Sequence, residues 1–320
     1  MAVAGKAAYV FPGQGAQKVG MGQDLYERFA SARAIFDRAD HVLGFPLTRL
    51  CFEGPEEDLR QTINAQPALV TASIACLEAV REAGGADILP PPAFLAGHSL
   101  GEYTALAVAG VYDFPTAVRL ARERGRLMHE AGQQCPGSMA AVLGMAEDAL
   151  SAICAETGTY IANINCPGQI VISGDAANVD RAAEVAREKG AHRVTPLKVS
   201  GAFHTPLMQF AFEGMSNLLP GMNFKNPNTP VIANTTATPL TAAADVKQEL
   251  LDQLCNCVQW QRSVEDMIAR GVTTFIELGP GKVLTGLIKR INADVSLLNI
   301  GDLASLQGYI DARKAGEAGN

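Results

Sequence analysis

Long apolar segments, basic clusters and paired cysteines are all missing from this sequence. No segment reaches about 18 consecutive apolar residues, so we expect no membrane-spanning helix. The net charge is −7 and no basic run interrupts the chain, which gives no reason to expect nucleic acid or an anionic membrane as a partner. The seven cysteines are scattered without a C-x-x-C pair, which favours reduced thiols over disulfides. We therefore expect no bound metal.

The composition is that of an ordinary water-soluble globular protein, with 48% hydrophobic and 18% charged residues. A length of 320 residues predicts about two domains. Residues 1–6 lack the pattern of a signal peptide. We expect a cytoplasmic protein if the source is bacterial, or one in an organelle stroma or matrix if a transit peptide has been removed.

Strand-like apolar runs alternate with helical ones along most of the chain, which predicts an α/β fold around a mainly parallel sheet. Within residues 131–198 the order changes to β-α-β-β-α-β, the ferredoxin-like split unit. We predict a small subdomain at 131–198, inserted into a larger catalytic subdomain formed by 1–130 and 199–320.

The pentapeptide Gly97-His98-Ser99-Leu100-Gly101 follows a short apolar strand and precedes a helix rich in small residues. This context is typical of a nucleophile elbow, because the flanking glycines relieve crowding at a sharp turn that exposes the serine hydroxyl. The backbone N–H of Leu100 would lie at a helix N-terminus, where it could stabilise an oxyanion. The pentapeptide thus indicates acyl chemistry through an acyl-serine.

A serine nucleophile needs a general base, and the chain has five histidines. His98 is adjacent to Ser99 on a tight turn, so the two side chains should point apart. His204 ends a strand-like run before a helix, and the carboxyl ends of strands are where ligands gather in α/β sheets. His204 is therefore the candidate base. A capping or core histidine is the alternative that local features leave open.

An arginine on the helix after the elbow could bind a carboxylate in bidentate fashion. Arg119, Arg122, Arg124 and Arg126 follow one another closely there. Because alternate helical residues face different directions, most of them should lie on a solvated face. Their spacing does not choose the one that points inward.

Several separated motifs together resemble the malonyl-CoA:acyl carrier protein transacylases of fatty-acid and polyketide synthesis. The motifs are FPGQGAQ at 11–17, GHSLGEY at 97–103, Phe-His at 203–204, ELGPGKVL at 277–284, Arg-Gly at 124–125 and NINCPGQIVISG at 163–174. The resemblance extends from about residue 7 to about residue 300 with the motif order preserved. It implies an α/β-hydrolase-like large subdomain with a ferredoxin-like small one.

The resemblance also implies roles for individual residues. Ser99 would be the nucleophile and His204 its base, oriented by the backbone carbonyl of Gln253. The oxyanion hole would combine the N–H groups of Gln14 and Leu100. The substrate-binding residues would be Arg124, which would hold the malonyl carboxylate, Asn163 and Gln169, which would line the acyl and pantetheine pocket, and Phe203, which with Leu100 matches the malonyl-selective pattern.

The implied activity is transfer of a malonyl group from malonyl-CoA to the phosphopantetheine thiol of acyl carrier protein through a malonyl-serine intermediate. No cofactor is expected, since malonyl-CoA is a substrate and the phosphopantetheine is carried by the partner. We expect a monomer that supplies fatty-acid synthesis. The alternatives are a trans-acting malonyltransferase of a polyketide synthase, a serine hydrolase of thioesters, and an inactive docking module.

Overall fold

Two β-sheets organise the chain in the computed structural model, which describes residues 5–85, 87–199 and 201–318. The larger sheet has six strands in the order β10-β9-β1-β2-β7-β8. Its strands are β1 (Lys6–Phe11), β2 (Pro92–Gly97), β7 (Val231–Ile232), β8 (Pro239–Leu240), β9 (Val272–Leu278) and β10 (Ser296–Ile300). All pairs in it are parallel except β7–β8. The predicted mixed α/β class with a mainly parallel sheet is confirmed.

The second sheet is antiparallel, with strand order β4-β5-β3-β6. Its elements follow the chain as β3 (Gly137–Leu143), α8 (Glu147–Thr157), β4 (Tyr160–Cys166), β5 (Gln169–Asp175), α9 (Ala176–Glu188) and β6 (Arg193–Pro196). This is the predicted ferredoxin-like order, and the helices bury an apolar core of their own against the sheet. The division at 130/131 and 198/199 stays a prediction, and the outermost residues 1–4, 319 and 320 lie outside the described ones.

Most helices lie in the parts of the chain before and after the antiparallel sheet. They are α1 (Gln23–Arg28), α2 (Ala30–Leu43), α3 (Leu47–Glu53), α4 (Glu56–Arg60), α5 (Thr62–Gly84), α6 (Gly101–Val108), α7 (Phe114–Gln134), α10 (Gln209–Leu218), α11 (Ala243–Cys255), α12 (Trp260–Ala269), α13 (Val283–Ile291) and α14 (Leu303–Ala318). Helix α5 is long and apolar enough, by length and composition alone, to cross a membrane. However, 83% of its apolar 18-residue stretch is buried inside the protein. It is the central core helix of this subdomain.

The motif at 277–284 is explained by a helix cap. Glu277 lies near the end of β9 and is 1% exposed. Its carboxylate accepts hydrogen bonds from the backbone N–H of Leu284 at 3.1 Å and of Thr285 at 2.7 Å, two of the N–H groups in the first turn of α13 that have no partner within the helix. Glu277 thereby fixes where α13 starts, and Leu284 of this helix lines the cavity described below.

Helices α5 and α7 are in close backbone contact at Gly125. A Cβ added there would lie 2.7 Å from the carbonyl oxygen of Thr62 and 2.8 Å from Cα of Ile63, distances that no side chain can occupy without moving the backbone. The absence of a side chain at Gly125 therefore lets α7 lie directly against the start of α5.

We predict that Gly125→Ala lowers the free energy of unfolding by about 1–3 kcal/mol, because the added methyl overpacks the α5–α7 contact. Gly286 is the matched control, since it is an exposed helical glycine of α13 whose added Cβ would meet nothing within 4 Å. Gly286→Ala should instead raise stability by roughly 0.5–1 kcal/mol through helix propensity. Urea unfolding midpoints measure both, and equal midpoints for the two variants would contradict the close approach.

Candidate active site

The elbow around Ser99 is held by close backbone contacts and one asparagine. Ser99 has φ +50°, a left-handed conformation that is strained for a residue with a side chain. A Cβ on Gly97 would lie 1.9 Å from the carbonyl carbon of Gly101, and one on Gly101 would lie 2.1 Å from the carbonyl oxygen of Phe11. Asn234 accepts the Ser99 N–H at 2.7 Å and donates to the Gly97 carbonyl at 2.8 Å. The glycine requirement expected of an elbow is met, and Asn234 clamps the turn.

Ser99 and His204 lie within hydrogen-bond distance of each other. The Oγ of Ser99 is 2.8 Å from Nε2 of His204, and Nδ1 of His204 is 2.7 Å from the carbonyl oxygen of Gln253. Because a carbonyl only accepts, Nδ1 carries the proton and Nε2 presents its lone pair to the serine hydroxyl. The geometry is that of a nucleophile and base oriented by a backbone carbonyl, as the resemblance implies.

The base is kept neutral by its surroundings. His204 is only 4% exposed. Burial, together with the positive charge of Arg124, lowers the pKa of its imidazole to about 3. The lone pair on Nε2 is therefore available at any pH near neutrality.

Of the four clustered arginines, Arg124 is the one that points into the site. Its side chain is 1% exposed, and its Nη2 lies 3.2 Å from Oγ of Ser99. Nη1 donates to Oε1 of Gln66 at 2.8 Å, and Nη2 donates to Oε1 of Gln253 at 2.6 Å. The Nε atom is buried without an acceptor among the described residues. A cation with an unused donor thus lies beside the nucleophile.

The other arginines of α7 serve the structure around it. Arg122 donates to the Ile63 carbonyl at 2.9 Å, Arg126 pairs with two glutamates of its own helix, and Arg119 is exposed. The sequence spacing does not distinguish the four arginines, and only the folded structure shows that Arg124 is the one beside Ser99.

The side chain of Gln253 joins the elbow to the arginine, a role that sequence reasoning missed because only its backbone was assigned. Its Nε2 donates to the Ser99 carbonyl at 3.0 Å and to the carboxylate of Glu102, which also accepts the N–H of Asn234 at 3.1 Å. Burial raises the pKa of Glu102 well above its usual range, although both N–H donors favour its ionised form. Residues far apart in sequence give no signal for such a network.

The expected oxyanion donors lie at the ends of two neighbouring parallel strands. Leu100 is fully buried at the start of α6, directly after β2, and Gln14 is in the loop that follows β1. Gly13 presses this loop against the elbow, since a Cβ there would lie 2.2 Å from the His98 carbonyl oxygen. In the described chain, the backbone N–H groups of Gln14 and Leu100 donate no intramolecular hydrogen bond. Both donors are thus available beside Ser99.

A cavity of about 460 Å³ opens over these residues. Seven of the residues assigned from the sequence line it, namely Gln14, Ser99, Arg124, Asn163, Gln169, Phe203 and His204. Leu100 and Gln253 lie outside the lining, and their backbone roles stay predictions. One wall comes from the smaller sheet, and the rest comes from the loops after β1 and β2, from helices such as α7 and α13, and from the segment that carries His204.

The wall formed by the smaller sheet presents three amide side chains to the cavity, from Asn163, Asn165 and Gln169, beside three apolar ones. Asn163 has a buried Oδ1 without a partner among the described residues, and its Nδ2 lies 3.4 Å from Nε2 of His98. His98 binds Oδ1 of Asn165 at 2.8 Å and so faces away from Ser99, as expected. Gln169 accepts a hydrogen bond from Arg290 of α13. His98, Asn165 and Arg290 were not assigned from the sequence. No group of three or more possible metal ligands occurs in the part of the chain described.

Comparisons with known proteins agree with this geometry. Residues 8–300 match the family described as acyl transferase domain. The malonyl CoA-acyl carrier protein transacylase of Bacillus subtilis (strain 168) is 46% identical over 314 residues, covering 97% of this chain and 98% of that relative. The solved acyl-carrier-protein S-malonyltransferase of Bartonella henselae superposes with a TM-score of 0.91 at 41% identity, covering 96% of this chain and 99% of that one.

A third similar protein was solved with its partner. It is a malonyl-transacylase in complex with a type II PKS acyl-carrier protein, with a TM-score of 0.91 and 40% identity, covering 96% of this chain and 99% of that one. Identity of this degree over nearly the whole length goes beyond a shared fold.

The lowered pKa of His204 predicts the pH dependence of acylation. A histidine of ordinary pKa would lose its base function as pH falls through about 6.5, whereas His204 stays neutral in the folded protein until pH approaches its own, lower value. The rate of acyl-enzyme formation from an acyl-CoA, measured by rapid quench with folding checked by circular dichroism at each pH, should show no inflection near pH ~6.5.

The same shift has a consequence for stability. Because the unfolded chain binds the proton more tightly than the folded one, the free energy of unfolding should decrease as pH falls below about 6.5.

An acylation rate that halves near pH ~6.5 while the protein remains folded would contradict the shifted pKa of His204.

Proposed function

This chain belongs to the acyl transferase domain family, and we propose that within its active site Ser99, His204 and Arg124 transfer a malonyl group. The chain is a malonyl-CoA:acyl carrier protein S-malonyltransferase by activity. It moves the malonyl group of malonyl-CoA to the phosphopantetheine thiol of acyl carrier protein, and so supplies fatty-acid synthesis. Malonyl-CoA and the carrier are its substrates and partners.

The observation that supports the malonyl assignment is the buried guanidinium of Arg124, 3.2 Å from the Ser99 hydroxyl. In a malonyl group one methylene separates the carboxylate from the reacting carbonyl. The carboxylate can therefore reach this cation while the carbonyl carbon lies at Oγ of Ser99. Charge-assisted bonds from arginine to a carboxylate are short and often bidentate, so the unused Nε donor suits such a ligand. An acetyl group would leave the cation without that partner.

The first half-reaction forms the acyl-enzyme. Ser99 Oγ attacks the thioester carbonyl carbon while its proton passes to Nε2 of His204. The N–H groups of Gln14 and Leu100 stabilise the oxyanion. Collapse of the tetrahedral intermediate breaks the carbon–sulfur bond, and the departing CoA sulfur takes the proton from His204.

The second half-reaction reverses these roles with a new thiol. The phosphopantetheine thiol gives its proton to His204, and the sulfur attacks the ester carbonyl. Collapse then breaks the bond to Oγ, and the proton returns to Ser99. The cycle is therefore ping-pong, and Nε2 of His204 accepts and returns the proton in each half-reaction.

Carriers of polyketide synthesis are a second class of acceptor, favoured by the similar structure that holds a type II PKS acyl-carrier protein. Hydrolysis is the other outcome that a serine and histidine allow. Incubation of malonyl-loaded protein with carriers of both pathways and with buffer alone separates the three cases. Faster loss of the malonyl group with a fatty-acid carrier than with either alternative supports the proposal, and loss at an acceptor-independent rate would contradict it.

Ser99→Ala should abolish malonyl-enzyme formation, with the transfer rate reduced by at least ~10³-fold, because it removes the group that forms the covalent bond. Intact-protein mass spectrometry after exposure to malonyl-CoA measures the adduct. A malonyl adduct retained on Ser99→Ala would show that another residue is the nucleophile.

Arg124→Ala should lower malonyl transfer by roughly 10- to 100-fold more than acetyl transfer, since a charged hydrogen bond contributes about 1.5–3 kcal/mol. Arg122→Ala is the matched control on the same helix, because Arg122 binds the Ile63 carbonyl and contacts neither Ser99 nor His204. It should leave the malonyl-to-acetyl ratio unchanged. Equal losses of both activities in Arg124→Ala would remove its role in carboxylate recognition.

A further inference from the structure

A chain of three hydrogen bonds, the first two of them buried, connects Arg124 to the side chain of Gln14. Nη1 of Arg124 donates to Oε1 of Gln66 at 2.8 Å, and Nε2 of Gln66 donates to Oγ1 of Thr62 at 2.8 Å. Thr62 Oγ1 in turn donates to Oε1 of Gln14 at 2.9 Å. Arg124, Gln66 and Thr62 are each at most 1% exposed, so water does not compete for the two bonds among them, whereas Gln14 is half-buried and lines the cavity.

The direction of this chain is fixed by its first member. A guanidinium has only donors, so the amide oxygen of Gln66 must face Arg124 and its NH₂ group must face Thr62. The Thr62 oxygen then accepts, and its proton is directed to Gln14. Each hydrogen bond thus fixes the donor and acceptor orientation of the next side chain, and the four side chains are oriented together.

The Gln14 loop needs such support. Glycines lie on both sides of Gln14, and Gly15 adopts φ +106° with no atom within 4 Å of an added Cβ. An oxyanion donor stabilises the transition state only when it lies about 2.7–3.1 Å from the developing charge. Displacement by about 1 Å can reduce the rate by roughly 10²-fold. The bond from Thr62 ties this glycine-flanked loop to the buried end of α5.

We propose that Thr62 and Gln66 are positioning residues that couple the carboxylate-binding guanidinium of Arg124 to the oxyanion donor at Gln14. The inference rests on the proposed malonyl transfer. It means that carboxylate recognition and activation of the carbonyl depend on one another, because the same chain of hydrogen bonds joins the guanidinium to the side chain of Gln14 and so supports the loop that carries the oxyanion donor. Thr62 and Gln66 touch no reacting atom and act only through Arg124 and Gln14.

The test is a double-mutant cycle on the rate of malonyl-Ser99 formation, followed by rapid quench and intact-protein mass spectrometry. Thr62→Val removes the hydroxyl at nearly constant volume. We expect it to lower the maximal acylation rate by about tenfold and to change the half-saturating malonyl-CoA concentration by less than about twofold. In the Arg124→Ala background, where the other end of the chain is already released, the same substitution should cost less than about threefold.

Two variants control for a merely structural effect. Thr71→Val makes the same change in the same helix at a fully buried threonine, whose hydroxyl donates to the Pro67 carbonyl at 2.8 Å, away from the chain of bonds. It should leave the acylation rate within about twofold of the original chain, and Thr62→Ser should restore that rate because it keeps the hydroxyl. If Thr62→Val fails to fold, Gln66→Met takes its place in the cycle.

The outcomes separate this inference from the function on which it rests. Absence of malonyl-Ser99 in the unmodified chain would overturn the proposed function and the coupling with it. Malonyl-Ser99 in the unmodified chain, with equal rates for Thr62→Val and Thr71→Val or with effects of Thr62→Val and Arg124→Ala that multiply independently, would overturn the coupling alone.

Discussion

The arrangement of this active site depends on a buried cation that the described chain does not neutralise. Arg124 forms no ion pair among the described residues. Its guanidinium donates to the side-chain amide oxygens of Gln66 and Gln253 and to the hydroxyl of Ser99. Removing a guanidinium from water is unfavourable unless its charge meets a partner, and neutral amides offset only part of that penalty. A carboxylate in the substrate would supply the missing charge. Selectivity for such a substrate would then follow from electrostatics.

The same cation also affects the base. Burial is the main reason for the low pKa of His204, and the charge of Arg124 lowers it further. A carboxylate bound to Arg124 would offset that positive charge, so His204 would accept the serine proton more readily once the proper substrate is in place. The group that we propose to recognise the substrate would therefore also adjust the base, because both lie within a few ångströms of Ser99.

Much of this was predictable from the sequence wherever the information was local. The elbow glycines, the strand-helix setting of Ser99 and the β-α-β-β-α-β order depend on neighbouring residues, and the structure has them. The short strands β8 and β10 were not predicted, since two to five residues at the sheet edge carry little periodic signal. The helix α12 was not predicted either. The choice of Arg124 over three neighbours, and the roles of Asn234 and the Gln253 side chain, depend on contacts more than 100 residues apart. No spacing rule encodes these contacts, because they exist only once the strand ends meet.

The central claim is that Arg124 binds the carboxylate of the acyl group carried by Ser99. A crystal structure of the malonyl-loaded protein tests it most directly. We predict the malonyl carboxylate within about 3.2 Å of the Arg124 guanidinium, with Nε among the donors, and the ester carbonyl oxygen at the N–H groups of Gln14 and Leu100. A malonyl group on Ser99 whose carboxylate points into solvent, with the Nε of Arg124 still lacking an acceptor, would contradict the account.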